Sequence, residues 1–471
     1  MANSNQQFPG DFQIESIILE PIPGTYTGPL GQQIDIRELM VEMSIYQSIL
    51  SPSVSADILV SDSGKNLISN IPLMGQEKVT IKLGTPNGKK YTLVFFVHKI
   101  SGRTLKEKNQ AYIMHLCSFE LIINECARIS QRFRGLHPHD IVQNILEENL
   151  KTSKKIVTDP SLHPVDFIAP FWRPFDVINW LAKRSVSTTT ADSCGYLFYE
   201  TLSVDPIGSD NQAGGYVFSS IDTLIQLQKS STLDVFTYAP AKTGDKPDEK
   251  LYRIKNFRSP EVFNHLEDLR MGLYAHYSID IDFMNSKKIT RNNTVDEWWN
   301  GSVAMNNCRA YRSTGQGGLH PSKFATRVIY RPLANQLWDE PGATNSSPNT
   351  TEDLDKLNTM FDKAIFRFHM LNYNKLEIEV PGNMDLVPAK LIKISIPSPE
   401  TKEGDDQTRK EDKKLSGIYM IESIRHSLNR SQMFTHITLI RDSIGGNQTE
   451  DPAFPVESED STLGENSNKQ P

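Results

Sequence analysis

The segment between residues 376 and 442 constrains the fold more than any other part of the sequence. Apolar and polar side chains alternate in LEIEV and IKISI, and again in IYMIESI and FTHITLI. A period of two places one set of side chains on the core face of a sheet and the other toward solvent. Pro381-Gly382-Asn383 is typical of a turn and joins the first two strands. The segment predicts a small antiparallel β-barrel or sandwich.

A second strand-rich region lies between residues 12 and 123. Its segments include SVSADILV, VTIKL, YTLVFFVHKI and AYIMHLCSFELII, and Thr85-Pro86-Asn87-Gly88 predicts a hairpin loop between two of them. Five or six strands in about 110 residues again favour a barrel or sandwich. We therefore predict a first β-domain over residues 1–125.

The remaining domains follow from changes of period and composition. Helical spacing begins near Pro138 and again at Pro174, and an aromatic hairpin follows, so residues 126–265 are predicted to be an α+β insertion. Ser259 and Pro260 predict the start of a further helix. Residues 266–442 form the second β-domain, with an irregular insert at about 291–356. Residues 443–471 hold six acids and one lysine and are predicted to be a flexible acidic tail.

Composition excludes several classes of protein. The 471 residues are 38% hydrophobic and 23% charged, and no apolar run approaches the roughly 20 residues that span a bilayer. The N-terminus has no secretory signal, so we expect synthesis in a cytosol and no stable membrane association. The net charge is −7, of which the tail contributes −5, so the body is not a nucleic-acid binder by global charge. The four cysteines lack a CxxC spacing and are interpreted as reduced thiols.

Four groups of residues have a chemical and a structural interpretation. The histidine cluster, formed by His137, His139 and Asp140 with Glu147 and Glu148, resembles a metal site but also fits a solvated helix start. The glycine cluster at residues 315–318 fits a mobile loop better than a phosphate loop. The paired aspartates suit a glycosidase or a cation, or an exposed strand face. The tryptophan pair suits a carbohydrate platform or a subunit contact. We favour the structural interpretation for all four: His137, His139, Asp140, Glu147 and Glu148; residues 315–318; Asp280 and Asp282; Trp298 and Trp299.

The order of motifs in the 376–442 segment resembles a known family. A strand, the PGN turn, a strand ending in proline, then G-I-Y-x-I-x-x-I-x-H and a last strand closing on Arg-Asp are similar to the central baseplate hub proteins of contractile-tailed bacteriophages. The resemblance extends more distantly to the trimeric spike protein of type VI secretion. IPLMGQEKVTI and FWRPFDVINWLAKRS agree with it. The signature positions are Pro381, Gly382, Asn383, Gly417, Tyr419, His426, Arg441 and Asp442.

The resemblance implies a structural role. It implies an α+β, multidomain fold in which two tail-tube-like antiparallel β-barrel domains carry an α+β insertion. It further implies a homotrimeric ring that matches a three-fold central spike to a six-fold tail tube, with the spike, the tail tube protein and baseplate wedge proteins as partners. DNA would only pass through the lumen, and the chain would be a virion component made in the bacterial host cytoplasm. No cofactor, metal or enzymatic activity is expected. The alternative is a tail-associated cell-wall hydrolase or carbohydrate-binding tail protein.

Overall fold

The computed structural model describes most of the chain between residues 12 and 445. The described residues are 12–25, 33–63, 67–71, 73–84, 89–106, 109–190, 193–204, 214–239, 250–261, 263–282, 286–309, 319–332, 351–398, 411–430 and 432–445.

One large sheet takes strands from both strand-rich regions. The N-terminal region supplies β1 (Gln13–Glu20), β2 (Ile34–Asp35), β3 (Met40–Ser48), β4 (Ser55–Asp62), β5 (Lys78–Gly84), β6 (Lys90–Lys106) and β7 (Asn109–Cys117). The remaining strands are β13 (Asp234–Thr237), β14 (Asn256–Glu261), β19 (Asn374–Pro381), β20 (Leu391–Ser395), β21 (Gly417–Asn429) and β22 (Met433–Arg441). Their order is β14-β19-β22-β21-β3-β4-β7-β6-β5-β1-β2, and β20 pairs with both β21 and β13.

The two regions meet where β3 pairs with β21. This antiparallel seam runs from the pair Ser48 and Ser423 to the pair Glu42 and Asn429. Apolar side chains of both regions meet beneath it, since Leu428 of β21 packs in the same cluster as residues of β3 and β4. Most apolar residues of the C-terminal strands form a cluster of their own. The seam therefore joins the two backbone ladders, and Leu428 extends the N-terminal core across it.

The α+β part packs against the large sheet beside β3, where the hydroxyl of Thr201 donates to the side chain of Gln47. Its helices are α2 (Phe119–Cys126), α3 (Pro138–Asn144) with a π-helical turn (Ile145–Asn149), α4 (Pro174–Ala182) and α5 (Ile221–Lys229). Its strands are β8 (Arg132–Leu136), β9 (Lys155–Thr158), β10 (Val165–Ile168), β11 (Tyr196–Thr201) and β12 (Gly215–Ser220). Strands β11, β12 and β9 form one small sheet, and β8 and β10 form another. Pro138 and Pro174 each begin a helix, as predicted.

A third part surrounds a long helix. It contains α6 (His265–Met271), β15 (Ala275–Asp282), β16 (Lys287–Thr294), α7 (Val295–Asn300), β17 (Cys308–Arg309), β18 (Arg327–Pro332) and α8 (Thr351–Leu371). Strands β16, β15 and β18 form a sheet, and β17 pairs with β23 (Ser443–Ile444). Short elements elsewhere are α1 (Leu67–Asn70) and the 3-10 turns Arg37–Leu39 and Pro321–Lys323.

The predicted mixture of antiparallel sheets and helices is confirmed, but three details differ. Among the described residues the strand order of the large sheet does not return on itself, so no closed barrel is seen. Strands β19 and β20 follow one another around the PGN turn without pairing, because each pairs with other strands. Ser259 and Pro260 lie in β14, and the helix starts later with Asn264 as its N-cap, whose side chain accepts from the amide of Glu267. The hairpin loop at 85–88 lies outside the described residues.

Candidate functional site

The polar face of the large sheet is a candidate surface for assembly. It contains a groove of about 550 Å³ that crosses the seam and is lined by side chains of β14, β19, β22, β21, β3 and β4. One cross-strand row joins Glu379, His436, Arg425 and Tyr46, each opposite the next. Because side chains alternate between the two faces of a strand, the residues between these are buried and this row faces outward. The surface is therefore shared by both strand-rich regions.

Charges of both signs alternate on this face. Arg258 lies 3.7 Å from Glu377, and Arg425 lies 3.5 Å from Glu42 across the seam. The ammonium group of Lys255 lies 4.0 Å from the ring centroid of Phe434. Exposed pairs of this kind add little to stability, on the order of 1 kcal/mol or less each. Their effect is to keep the face polar near the seam, with acidic and basic side chains next to one another.

A histidine ties three strands together on the same face. The Nδ1 atom of His115 lies 2.6 Å from a carboxylate oxygen of Asp57, and its Nε2 atom lies 2.7 Å from the hydroxyl of Ser101. These residues belong to β7, β4 and β6. The nearby His98 ring has its pKa lowered by partial burial and by His115. His115, Asp57 and Ser101 therefore extend the polar surface away from the seam.

Half of the signature positions meet at one end of the C-terminal strands. The amide of Gly382 donates to the carbonyl of Met433 at 2.9 Å, and a Cβ at Gly382 would lie 2.4 Å from the Met433 side chain. The hydroxyl of Thr435 accepts from the amide of Asn383 and contacts His426 Nδ1, both at 3.1 Å. Pro381 ends β19 opposite Phe434. The close approach of two backbones requires glycine here.

His426 lies on the core face and is fully buried. Burial lowers its pKa to about 3, so the ring is neutral. Its Nε2 atom has no hydrogen-bond partner among the described residues. This placement agrees with a structural role for the ring.

The other signature positions meet at the opposite end of the strands. The guanidinium of Arg441 lies 4.5 Å from the ring centroid of Tyr419, and Nη1 donates to the carbonyl of Ser416 at 3.1 Å. Burial raises the pKa of Tyr419 to about 12 and lowers that of Arg441. A Cβ at Gly417 would lie 3.0 Å from the side chain of Asn306. The signature thus marks both ends of one packed unit.

Asp442 belongs to a buried ion network that the sequence did not reveal. Arg367 of α8 donates through Nε to Asp222 and through Nη1 to Asp442, both at 2.7 Å, and through Nη2 to the carbonyl of Val303 at 2.8 Å. All three charged side chains are at most 1% exposed. Burial alone would lower the pKa of Arg367, but the two carboxylates outweigh it and the pKa rises. We call these three residues the arginine junction, and it joins α5, α8 and the end of β22.

A second buried network joins the α+β part to the N-terminal strands. Lys154 lies 2.6 Å from both Glu120 and Glu200. The other oxygen of Glu200 accepts from the amide of Val54 at 2.8 Å and the hydroxyl of Ser118 at 2.7 Å. Glu200 thus links β11 to the loop before β4.

The sequence-predicted chemical sites are mostly committed to structural contacts. His139 contacts the hydroxyl of Ser161 through Nδ1 at 2.8 Å, and burial lowers its pKa. In the described ranges no three His, Cys, Asp or Glu side chains converge as a metal site would require. The histidine cluster is a helix start, with His137 as the N-cap of α3.

The prediction that Asp280 and Asp282 lie on an exposed strand face is wrong for Asp280. Its side chain is fully buried, and Arg331 Nε lies 2.8 Å from one of its oxygens. Arg331 Nη1 also lies 2.8 Å from Asp362 of α8, and Arg291 pairs with Asp280 as well. Helix α8 covers this face of β15, which strand periodicity alone does not reveal.

The remaining candidates pack against neighbouring residues or lie outside the described part. Trp298 and Trp299 are partly buried against a cluster that includes Phe366 and Met370. Residues 315–318 lie outside the described residues. None of the four cysteines forms a disulfide: Cys126 is exposed and the other three are buried. No helix in the described part of the chain has the length and apolarity needed to cross a bilayer.

Comparison with known proteins gives structural matches alone. No family model matches the sequence, and no curated protein matches it either. The fold is similar to a tail protein from Neisseria meningitidis MC58, with 11% identity, 91% of this chain and 96% of that chain covered, and a TM-score of 0.48. It is similar to the 43 kDa tail protein of prophage MuSo2 from Shewanella oneidensis, with 13% identity, 91% and 98% coverage, and a TM-score of 0.47.

A third match is an E. coli component of the type VI secretion system, itself described as similar to the T4 tail proteins gp27 and gp5. The identity is 10%, 91% of this chain and 76% of that chain are covered, and the TM-score is 0.42. These values are too low to assign a function to this chain.

Proposed function

We propose that this chain is a structural subunit of a phage tail baseplate, namely the central hub. Three copies would form a ring between a three-fold spike and a six-fold tail tube. The observation that carries the proposal is the single sheet that crosses the β3–β21 seam with one apolar and one polar face. Such a sheet gives each subunit a continuous wall built from two strand-rich regions. Three subunits then present six wall segments.

The polar face would line the bore of this ring. Charges of both signs alternate on it, as in the pairs Arg258–Glu377 and Arg425–Glu42. Near the seam these two arginines are paired with carboxylates, so they would offer DNA in transit few free phosphate contacts of the kind that retain it in a salt-dependent way. The tail tube, the spike and the wedge proteins would bind the rims and the outer surface.

The mass in solution tests the ring. Light scattering at micromolar concentration is expected to give three times the mass of one chain, with interfaces on the order of more than 2,000 Å² in total. A monomer at this concentration would contradict the proposal. Electron microscopy of the same sample should show a ring with an open centre.

DNA binding tests the orientation of the polar face. The natural chain is expected to show no salt-dependent retention of double-stranded DNA, whereas the E377K/E379K variant should acquire it, because the wall would become basic. The matched variant E147K/E148K changes charge equally outside the large sheet. Equal DNA binding by both variants would place the polar face outside the bore.

The alternative of a cell-wall hydrolase loses its candidate carboxylate pair. Asp280 is buried and ion-paired to arginine, so it is not available to protonate a glycosidic oxygen. A cell-wall clearing assay with the natural chain and D280N remains the direct test. Clearing by the natural chain that is lost in a D280N variant shown by circular dichroism to be folded would favour the hydrolase.

A further inference from the structure

A cavity of about 210 Å³ lies between the α+β part and the C-terminal strands. One wall is the face of the small β11–β12–β9 sheet on which Tyr199 and Val217 lie opposite each other. The other walls are α5, which contributes Leu224, and the loop at residues 387–389. Gln228 holds this loop to α5, because its Nε2 atom donates to the carbonyl of residue 389 at 2.9 Å. Small-ligand sites often occur where two parts of a fold meet.

Two buried hydroxyl groups that line this cavity have no hydrogen-bond partner in the part of the chain that the structure describes. They belong to Tyr199, which is 3% exposed, and to Ser219, which is 4% exposed. Burial alone raises the pKa of Tyr199. Because buried polar groups in proteins are nearly always hydrogen-bonded, each of these hydroxyls is a place where a bound molecule can form a hydrogen bond.

Asp159 adds a buried carboxylate to the lining of the cavity, and its side chain is 5% exposed. Its Oδ1 atom accepts from the hydroxyls of Ser187 at 3.0 Å and Thr189 at 2.7 Å. Its Oδ2 atom accepts from the amide of Ser220 at 3.3 Å, and no lysine or arginine of the described ranges pairs with it. His139 interacts with Asp159 through space, but burial lowers the pKa of His139, so its ring is neutral at pH 7. Because buried charges in proteins are usually paired, this carboxylate favours a cationic ligand.

The three polar groups lie on neighbouring strands. Thr158 of β9 lies opposite Phe218 of the parallel strand β12. The next residues, Asp159 and Ser219, are therefore neighbours on the other face of the sheet, which borders the cavity. Tyr199 lies on β11, the strand beside β12, one diagonal position from Ser219. The carboxylate and the two hydroxyls thus form one polar group of oxygens in a cavity whose other walls are largely aliphatic.

We propose that this cavity binds a small primary amine with an apolar body, held as its ammonium ion. The ammonium group has three N–H donors and would donate to oxygens of Asp159, Ser219 and Tyr199. The apolar body would contact the side chains of Val217 and Leu224. In another protein a cavity of about 150 Å³ holds benzene, so this cavity has room for a ring that carries an aminomethyl group. Every residue of the site belongs to one subunit, so amine binding does not depend on ring formation.

Two molecules of nearly the same shape test the proposal. Benzylamine is protonated at pH 7, whereas benzyl alcohol has the same number of non-hydrogen atoms and no charge. Benzylamine should bind the full chain with a dissociation constant on the order of 1 mM, which a saturation-transfer NMR titration measures. Benzyl alcohol should bind about tenfold more weakly or worse, because it cannot form a charge-assisted hydrogen bond from an ammonium to the carboxylate.

Variants of the three polar residues locate the bound amine. D159N should weaken benzylamine binding about tenfold, whereas E148Q, which removes an exposed charge outside the cavity, should leave it unchanged. Y199F and S219A remove hydroxyls that have no partner in the described chain, so each should fold with an unchanged or higher Tm. Each should nevertheless bind benzylamine about two- to tenfold more weakly. These two variants decide the question if D159N does not fold.

Four results would overturn the proposal. The first is the lack of saturable benzylamine binding by about 20 mM, well above the affinity expected for a ligand of this size. The second is equal affinity for benzylamine and benzyl alcohol, which would show that the cavity selects apolar shape alone. The third is unchanged benzylamine affinity in both Y199F and S219A, which would place the bound amine elsewhere. The fourth is an equal loss of affinity in D159N and E148Q, which would show attraction to the net charge of the chain.

Discussion

The seam and the arginine junction join parts of the chain by different physical means. At the seam, β3 and β21 exchange backbone hydrogen bonds over apolar side chains, and the charges on the polar face are exposed. At the arginine junction, Arg367, Asp222 and Asp442 are withdrawn from water and satisfy one another. The seam distributes its stabilisation over many small contacts. The junction concentrates it in three charges, none of which tolerates the loss of another.

The largest expected effect is at the arginine junction. R367M leaves Asp222 and Asp442 buried without a counter-charge and should lower the free energy of unfolding by about 3–5 kcal/mol. Chemical denaturation followed by circular dichroism measures this. The triple variant R367M/D222N/D442N should recover much of the loss, because no charge stays buried. A loss below about 1 kcal/mol in R367M would remove the contrast with the seam.

Steric crowding at the PGN turn should have the next largest effect. A Cβ at Gly382 would lie 2.4 Å from the Met433 side chain and 2.9 Å from its carbonyl oxygen. G382A should therefore cost about 3 kcal/mol, at the upper end for an overpacked site, because a backbone atom must move. G84A is the matched control, since its nearest contact, the flexible Glu15 side chain, lies at 3.4 Å. Equal unfolding midpoints for the two variants would contradict this account.

His426, next to the seam, gives it a pH dependence. Its folded-state pKa is lowered to about 3 from an ordinary value of 6.5, so the unfolded chain binds more protons between these values. Stability from this group is complete above pH 6.5 and decreases as the pH falls, by about 2 kcal/mol at pH 5. H426F, which cannot titrate, should show a smaller change in unfolding free energy between pH 7 and 5. The same change in both proteins would show that other groups dominate.

The smallest effect is expected on the polar face of the seam. Arg425 is about half exposed and pairs with Glu42 at 3.5 Å, so R425M should change the unfolding free energy by less than about 1 kcal/mol. Urea denaturation beside R367M compares the two arginines directly. A loss comparable to that of R367M would mean that the seam also depends on charge.

Local patterns predicted the elements but not their neighbours. The period of two along residues 434–440 and the prolines at 138 and 174 act within a few residues, so they gave strands and helix starts correctly. Partner choice depends on contacts between distant residues, so the pairing of β3 with β21 and the covering of Asp280 by α8 had no local signal. The sequence gave a weak indication that Arg367 is buried, because this residue lies on the same side of the predicted helix as the apolar residues Ala364 and Phe368. A charge at such a position indicates a buried partner.

The seam also sets an order of events during synthesis. Ser44 and Arg425, which touch across it, are 381 positions apart in the chain. At about 5–20 residues per second, β3 emerges from the ribosome roughly 20 to 80 seconds before its partner strand exists. During that interval the N-terminal strands have an open edge that can pair with another nascent chain. Production of this protein should therefore be more sensitive to crowding of ribosomes on one message than its folded stability suggests.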